Sequence, residues 1–290
     1  MDYSVPILTE LVLVSADIER TLKAAASVSV EQFQVLARLK AEEKRITPSA
    51  LSRALLLPPS SIATALKALK SVGAVSAKED PEDRRLQLIS ISEVGTMLLL
   101  ASDKALEALV ARIWQPLSNS EQSMKHWGSA QTMSRYNLIR VEKGHIDAAA
   151  AYCDAAILSL RGTRALLARH ALSANDYRIM KTAIDTASDG SFPHVGDIGK
   201  ALVMSSSLMA QTVRSLERRD LMRRYVSSTD ARAKLLTPTE EGAAVLAKAR
   251  RELLRTMRKD FTPMSRDTVD EYGRIAEKVV DVYRKSAHLS

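Results

Sequence analysis

The sequence predicts a mainly α-helical protein with small β wings, in which one domain occurs twice. The chain has only 10 Gly and 9 Pro among 290 residues, which favours long helices over a loop-rich sandwich. A repeat appears at a shift of 147 residues: segment 51–73 matches 198–220, and Gly95 falls on Gly242. Solenoid units repeat every 20–50 residues or so, so this period indicates a duplicated domain. We expect domains at 1–144 and 145–290.

The first domain begins with four predicted helices. Apolar residues recur with helical spacing in 6–26 and again from Val30 to about Glu43. Thr47 followed by Pro48 is typical of a helix start, and this short helix runs to Leu55. The next helix opens at residues 58–60 and ends at Gly73, with Ile62, Leu66 and Leu69 facing the core. Two short helices joined by a tight turn and packed on a third form a helix-turn-helix.

A hairpin and two more helices complete the domain. Residues 74–78 and 86–91 read as strands that flank the charged turn 79–85, and in this position the hairpin is a wing. A long helix is predicted from residues 92–95 to Ile113, and a last one from Ser120 to Lys143. The second copy repeats this order, and its first helix is predicted at 146–171. We expect two long helices to meet almost directly near Gly144.

Charge and cysteine content narrow the function. The net charge is +8 and the sequence pI is about 9.6, which suits an anionic partner such as nucleic acid. Residues 1–144 hold 18 basic and 16 acidic side chains, and residues 145–290 hold 24 and 18. The single cysteine is compatible with a reducing cytoplasm. The N-terminus lacks a basic segment and reads as an amphipathic helix rather than a signal peptide, and no membrane span is expected.

Residues 46–95 resemble the core of the MarR (multiple antibiotic resistance regulator) family of transcriptional regulators. The resemblance rests on a Pro/Ser-capped recognition helix, a wing with Asp-x-Arg, and a Ser/Thr-x-x-Gly start of the long helix; DARAKLLTPTEEG repeats the wing from Asp230. The resemblance implies DNA binding, repression and response to a small phenolic or other aromatic effector. Family members are homodimers with intertwined terminal helices, so it also implies an intramolecular pseudo-dimer here, alone or as a homodimer of fused chains.

The predicted DNA contacts lie on the outer faces of two recognition helices. These faces combine small polar side chains at the helix N-terminus, where a phosphate is favoured, with basic side chains further along. The first helix offers Ser60, Ser61, Thr64, Lys67 and Lys70, and the second offers Ser206, Ser207, Gln211, Arg214 and Arg218. The family pattern commonly has arginine at the positions of Thr64 and Gln211. Because the two faces differ, we predict an asymmetric or imperfectly palindromic double-stranded DNA site.

The wings supply a second set of predicted contacts. An arginine at a hairpin tip can enter a narrow minor groove, where the negative potential is enhanced. We expect Arg85 and Arg232 in this role, held by charge-assisted bonds to Asp83 and Asp230, with Arg84 beside them. The alternative is an exposed salt bridge worth about 0–1 kcal/mol.

The sequence gives little support for redox sensing, metal binding or catalysis. Cys153, which follows Tyr152, is a candidate redox sensor by resemblance, with Tyr177 as a second partner, but a cysteine is often a small buried hydrophobe. The five histidines lack metal-ligand spacing, so neither a metal nor another cofactor is expected. No Gly-rich phosphate loop or Gly-x-Ser-x-Gly elbow is present, and an enzyme is not expected. Two hypotheses remain open: a DNA-binding repressor, and a protein-interaction scaffold that keeps the duplicated fold with weak or one-sided DNA binding.

Overall fold

The structure is a computed structural model of the whole chain. It describes residues 3–41, 46–81, 83, 85–135, 141–142, 145–146, 148–187, 192–226, 234–260 and 266–287. The described part is mainly helical, with three two-stranded antiparallel sheets.

The first half follows the predicted order. Its elements are α1 (Ser4–Ala26), α2 (Val30–Ala41), α3 (Pro48–Leu55), α4 (Pro59–Ser71), β1 (Val75–Glu79), β2 (Gln87–Ile91), α5 (Glu93–Trp114) and α6 (Asn119–Arg135). The Thr47 hydroxyl caps α3 by accepting from the Ala50 N–H at 3.3 Å. The predicted inward residues Ile62, Leu66 and Leu69 are buried. Each such side chain contributes about 1.5–3 kcal/mol when removed from water.

The second half has the same order of elements. They are α7 (Ala148–Ala168), α8 (Ala174–Asp185), α9 (Val195–Ala201), α10 (Ser206–Arg218), β5 (Met222–Val226), β6 (Lys234–Pro238), α11 (Glu240–Asp260) and α12 (Arg266–Ala287). Met209, Val213 and Leu216, which lie 147 positions after Ile62, Leu66 and Leu69, are buried here too. The first residues of α7 and α8 lie 144 positions after those of α1 and α2, and α10, both strands, α11 and α12 begin 147 positions after their counterparts.

The structure differs from the prediction in the segment that joins the two halves. The helix expected from Ser120 to Lys143 ends at Arg135, and β3 (Val141–Glu142) pairs with β4 (His145–Ile146) in an antiparallel ladder. A hairpin, rather than two helices that meet directly, therefore precedes α7. Val141 and Ile146 are β-branched, which favours an extended backbone over a helix.

Backbone geometry also recurs between the halves. All residues with positive φ in the described chain have φ between 50° and 70° and form three pairs: Ser27 with Ala171, Leu56 with Val203, and Gly73 with Asp220. The members of the first pair are 144 residues apart and those of the other two pairs are 147 apart. Each pair ends equivalent helices, so the two halves turn the chain in the same way at the same places.

The compact units do not coincide with the predicted domains 1–144 and 145–290. One unit comprises residues 14–159, and the other comprises residues 1–13 together with 160–290. Both α1 and α7 are thus divided between the units. Within the second unit, the N-terminal part of α1 is anchored to α8: the Arg178 Nε donates to Thr9 Oγ1 at 3.0 Å, and the Ser4 and Tyr177 hydroxyls are 2.8 Å apart.

Candidate nucleic-acid interface

Helix α4 presents a polar face opposite its buried apolar stripe. Ser60, Thr64, Lys67 and Lys70 are exposed, and Ser61 is half-buried. The Thr64 hydroxyl donates to the Ser60 carbonyl at 3.0 Å, so its proton is used within the helix while its oxygen can still accept. The first turn has Pro58 as N-cap, and no side chain caps it. This leaves the positive end of the helix dipole open to an anion.

Helix α10 presents the corresponding face in the second half. Ser206, Ser207, Gln211, Arg214 and Arg218 are all exposed. Unlike α4, this helix has a side-chain cap, because the Ser205 hydroxyl accepts from the Leu208 N–H at 3.3 Å. Among the described residues, neither guanidinium is engaged in an ion pair or a hydrogen bond. Two cationic groups and an amide are therefore available to a ligand on this face.

The two predicted recognition helices are joined to their hairpins in different ways. In the first half, the Lys70 Nζ donates to Gln87 Oε1 at 3.4 Å, so this predicted DNA contact leans toward strand β2. In the second half, Arg224 of β5 binds both carboxylate oxygens of Glu217, at 2.6 and 2.5 Å. The sequence reasoning missed this pair. The sequence feature that could have indicated the pair is Glu217, an acidic residue that lies 147 positions after the basic Lys70.

A further contact holds the C-terminus of α10. The Arg219 Nη2 donates to Asp176 Oδ2 at 2.8 Å, and another of its nitrogens donates to the Ala171 carbonyl. Asp176 also forms a capping box with Ser173 at the start of α8. The residue that corresponds to Arg219 in the first half is Val72, which is exposed and cannot make these bonds. The second recognition helix therefore has polar attachments that the first lacks.

In the first wing, a side chain bonds the backbone of the turn rather than the neighbouring arginine side chain. The Asp83 carboxylate accepts from the backbone N–H of Arg85 at 3.0 Å, and the predicted bond to the Arg85 guanidinium does not form. A short acidic side chain readily bonds the backbone two residues ahead, which favours the turn over the ion pair. The Arg85 side chain is exposed and open to a partner. Arg84, Asp230 and Arg232 lie outside the described residues.

The other candidate residues have buried surroundings. Cys153 is fully buried, whereas reactive thiols are usually partly exposed. Tyr152 packs edge-on against Trp114 with ring centroids 5.0 Å apart, and the Tyr177 hydroxyl bonds Ser4. The described residues form no cluster of three or more His, Cys, Asp or Glu side chains able to hold a metal. Among the described helices, none combines the length and apolar character needed to cross a membrane.

The comparison with protein families identifies the first helix-turn-helix and most of its wing. The model described as "MarR family" matches residues 26–86, which include α2, α3, α4 and β1. Residues 26–86 form a MarR-family domain. Helix α4 lies within the matched residues, and Asp83 and Arg85 lie between β1 and β2 of its hairpin.

Several solved structures of transcriptional regulators are similar to part of the chain. The transcriptional regulator BldR from Sulfolobus solfataricus is 25% identical, with 41% of this chain and 84% of that chain covered and a TM-score of 0.36. AbsC, a MarR family transcriptional regulator from Streptomyces coelicolor, is 21% identical, with 43% of this chain and 83% of that chain covered and a TM-score of 0.38. A mutant MarR from E. coli complexed with operator DNA is 22% identical, with 37% of this chain and 79% of that chain covered and a TM-score of 0.33. No match was found among curated proteins.

Proposed function

We propose that the chain is a sequence-specific DNA-binding transcriptional regulator that carries two MarR-like domains in tandem. The observation that carries the proposal is the pair of helices α4 and α10. Each buries an apolar stripe, presents exposed polar and basic side chains, and is followed by an antiparallel hairpin. Such a helix can enter the major groove while the hairpin reaches the neighbouring minor groove.

The case for tandem duplication rests on features that sequence identity alone would not reveal. The bounds of equivalent elements recur at shifts of 144 and 147 residues. Gly95 and Gly242 have the same role: a Cβ would lie 2.1 Å from the Ala74 carbonyl oxygen in one case and 1.9 Å from that of Leu221 in the other. The Ser92 and Thr239 hydroxyls cap the long helices by accepting from these two glycine N–H groups.

We further propose that the two domains, 1–144 and 145–290, act as an intramolecular pseudo-dimer. The division of α1 and α7 between the compact units supports this arrangement, since each unit then contains residues of both copies. A single chain would thereby supply the two recognition helices that a homodimer obtains from two subunits. Duplication also allows the faces to diverge, so we propose an asymmetric or imperfectly palindromic operator.

Repression in the cytoplasm and relief by a small aromatic ligand complete the proposal, and both derive from the family resemblance. One described cavity, between α2 and Asp154, is lined by Gln34, Arg38 and Met133 among others and has a volume of about 10 Å³. That volume holds about one water molecule. An aromatic ligand would have to open this cavity or bind elsewhere.

The decisive experiment measures binding of the full chain to labelled duplex DNA that flanks its own gene, at two salt concentrations. We expect specific binding that weakens by about 10³-fold or more between roughly 50 and 200 mM salt, because a protein that contacts many phosphates displaces their counterions. Absent binding, or weak binding to any sequence, would instead support the protein-interaction scaffold.

Single substitutions test whether the first wing and the exposed face of α10 contact the DNA. Arg85→Ala and Arg214→Ala should each weaken binding and reduce the salt slope by about one charge. Arg164→Ala is the matched control, because Arg164 is an exposed arginine on α7 and belongs to neither predicted recognition helix nor predicted wing. An unchanged slope in the Arg85 or Arg214 variant would remove that residue from the interface.

A further inference from the structure

The N-terminal half of α5 leaves large apolar side chains in water. Val94, Met97 and Leu100 are 40%, 58% and 55% exposed. Further along the same helix, Leu106 and Ile113 are fully buried. Scattered apolar residues on a surface are normal, but three within two helical turns form a contiguous patch that water solvates poorly.

The second half shows that the fold does not require this patch. The residues 147 positions further on, in α11, are Glu241, Ala244 and Ala247, and all three are exposed. The same position on the same kind of helix is therefore occupied there by a charged residue and two small ones. Of these two helices, as far as the structure describes them, α5 is the one with large exposed apolar side chains here, and this patch calls for an explanation outside the folding of the domain.

The ends of the patch carry opposite charges. Glu93 and Lys104 lie with Met97 and Leu100 on one face, at helical positions i, i+11, i+4 and i+7. Both charged side chains are exposed, and within the described part of the chain neither makes an ion pair or a hydrogen bond. The four residues, which we call the α5 stripe, thus run from an acid through two large apolar groups to a base.

We propose that the α5 stripe binds the α5 stripe of a second copy of this chain, with the two helices antiparallel. A two-fold axis midway between Met97 and Leu100 places Met97 against Leu100 of the second copy. The same axis places Glu93 against Lys104 of the second copy, so both ends gain opposite charges. Exposed Ala101 beside the stripe allows the helices to approach closely.

The stripe is complementary to itself only in the antiparallel orientation. A parallel pair would bring Glu93 against Glu93 and Lys104 against Lys104, and like charges disfavour such a pair. The contact involves the N-terminal half of α5 from each chain. It is small by the standards of stable dimers, so we expect a weak, concentration-dependent complex.

Sedimentation of the full chain without DNA over a range of concentrations tests the proposal. We expect the mass to rise from the monomer value of 31.8 kDa toward twice that value. Met97→Glu should raise the dissociation constant by about tenfold or more, since it places a charge in an apolar contact. Ala244→Glu, at the matched exposed position of α11, should leave the mass distribution unchanged.

The single charge reversals distinguish the two orientations, because a parallel wild-type pair already faces like charges and would not be weakened by either change. Glu93→Lys and Lys104→Glu should each weaken self-association, whereas an equimolar mixture of the two variants should restore it, because every facing pair is then opposite in charge. Circular dichroism verifies that each variant is folded. A wild-type chain that stays at 31.8 kDa, a dimer insensitive to Met97→Glu, or a mixture that associates no better than its components would overturn the proposal.

Discussion

The two halves have the same order of elements and similar backbone turns, but they differ in the side-chain bonds that attach their predicted recognition helices to neighbouring elements. In the second half, Arg219 connects the end of α10 to α8, and the Glu217–Arg224 pair connects α10 to its hairpin. In the first half, Val72 makes no such bond, and Lys70 reaches Gln87 only at 3.4 Å. Turns, caps and close backbone contacts recur between the halves, whereas surface side chains and polar attachments diverge.

This difference bears on how each half would meet DNA. We expect α10 to be the more preorganised helix, because its position is set by ion pairs with two neighbouring elements. Preorganised groups lose less conformational entropy on binding. Helix α4 has fewer polar attachments and an uncapped first turn, so its contacts should depend more on the phosphate that it meets.

The largest expected effect tests what the halves share. Gly95→Ala and Gly242→Ala should each lower the free energy of unfolding by about 4 kcal/mol or more, because the new Cβ would lie about 2 Å from a carbonyl oxygen. Chemical denaturation followed by circular dichroism measures the loss. The control is Gly162→Ala, where nothing lies within 4 Å of the new Cβ and a gain of about 0.5–1 kcal/mol is expected. A tolerated substitution at either position would show that the equivalence fails there.

A smaller effect tests an attachment found in the second unit. The Arg178 side chain is 1% exposed and bonds Thr9, Asn175 and the Leu202 carbonyl, and burial lowers its pKa to about 10. Arg178→Ala should lower the free energy of unfolding by about 3 kcal/mol, since it leaves buried acceptors unpaired.

The matched substitution for this site is Arg178→Gln. Glutamine occupies the equivalent position 34, and it should cost about half as much because it keeps an amide donor. The sign of the pH dependence follows from the lowered pKa. The folded state holds this proton less tightly than the unfolded chain does, so the burial cost falls as pH rises above 10. Equal stability of wild type and Arg178→Ala would show that these bonds do not anchor α1.

The sequence was sufficient for the elements whose signals are local. Thr47 caps the helix that it was expected to start, and the inward positions of α4 follow from helical spacing. The segment after Arg135 was predicted wrongly, because a helical pattern does not show where β-branched residues will pair instead. Asp83 was correctly placed at the turn, but its choice of the Arg85 backbone over the guanidinium depends on geometry.

Attachments between distant residues were beyond sequence reasoning. Arg219 and Asp176 lie 43 residues apart, and Arg178 and Thr9 lie 169 apart, so no spacing rule connects them. The exposed stripe of α5 was equally hidden, since an apolar residue in a helix is expected to be buried until the packing is known. The exposed polar faces of α4 and α10 were better predicted, because a polar face opposite a buried stripe follows from periodicity alone.

The most direct test of the account is selection of binding sites from random DNA by the full chain, in wild-type form and with Gln211 and Arg214 both changed to Ala. We predict two unlike half-sites about one helical turn, or roughly 10 base pairs, apart. The double variant should lose sequence preference in one half-site and keep it in the other. A perfect palindrome, or equal loss in both half-sites, would contradict the claim that the two recognition helices read different sequences.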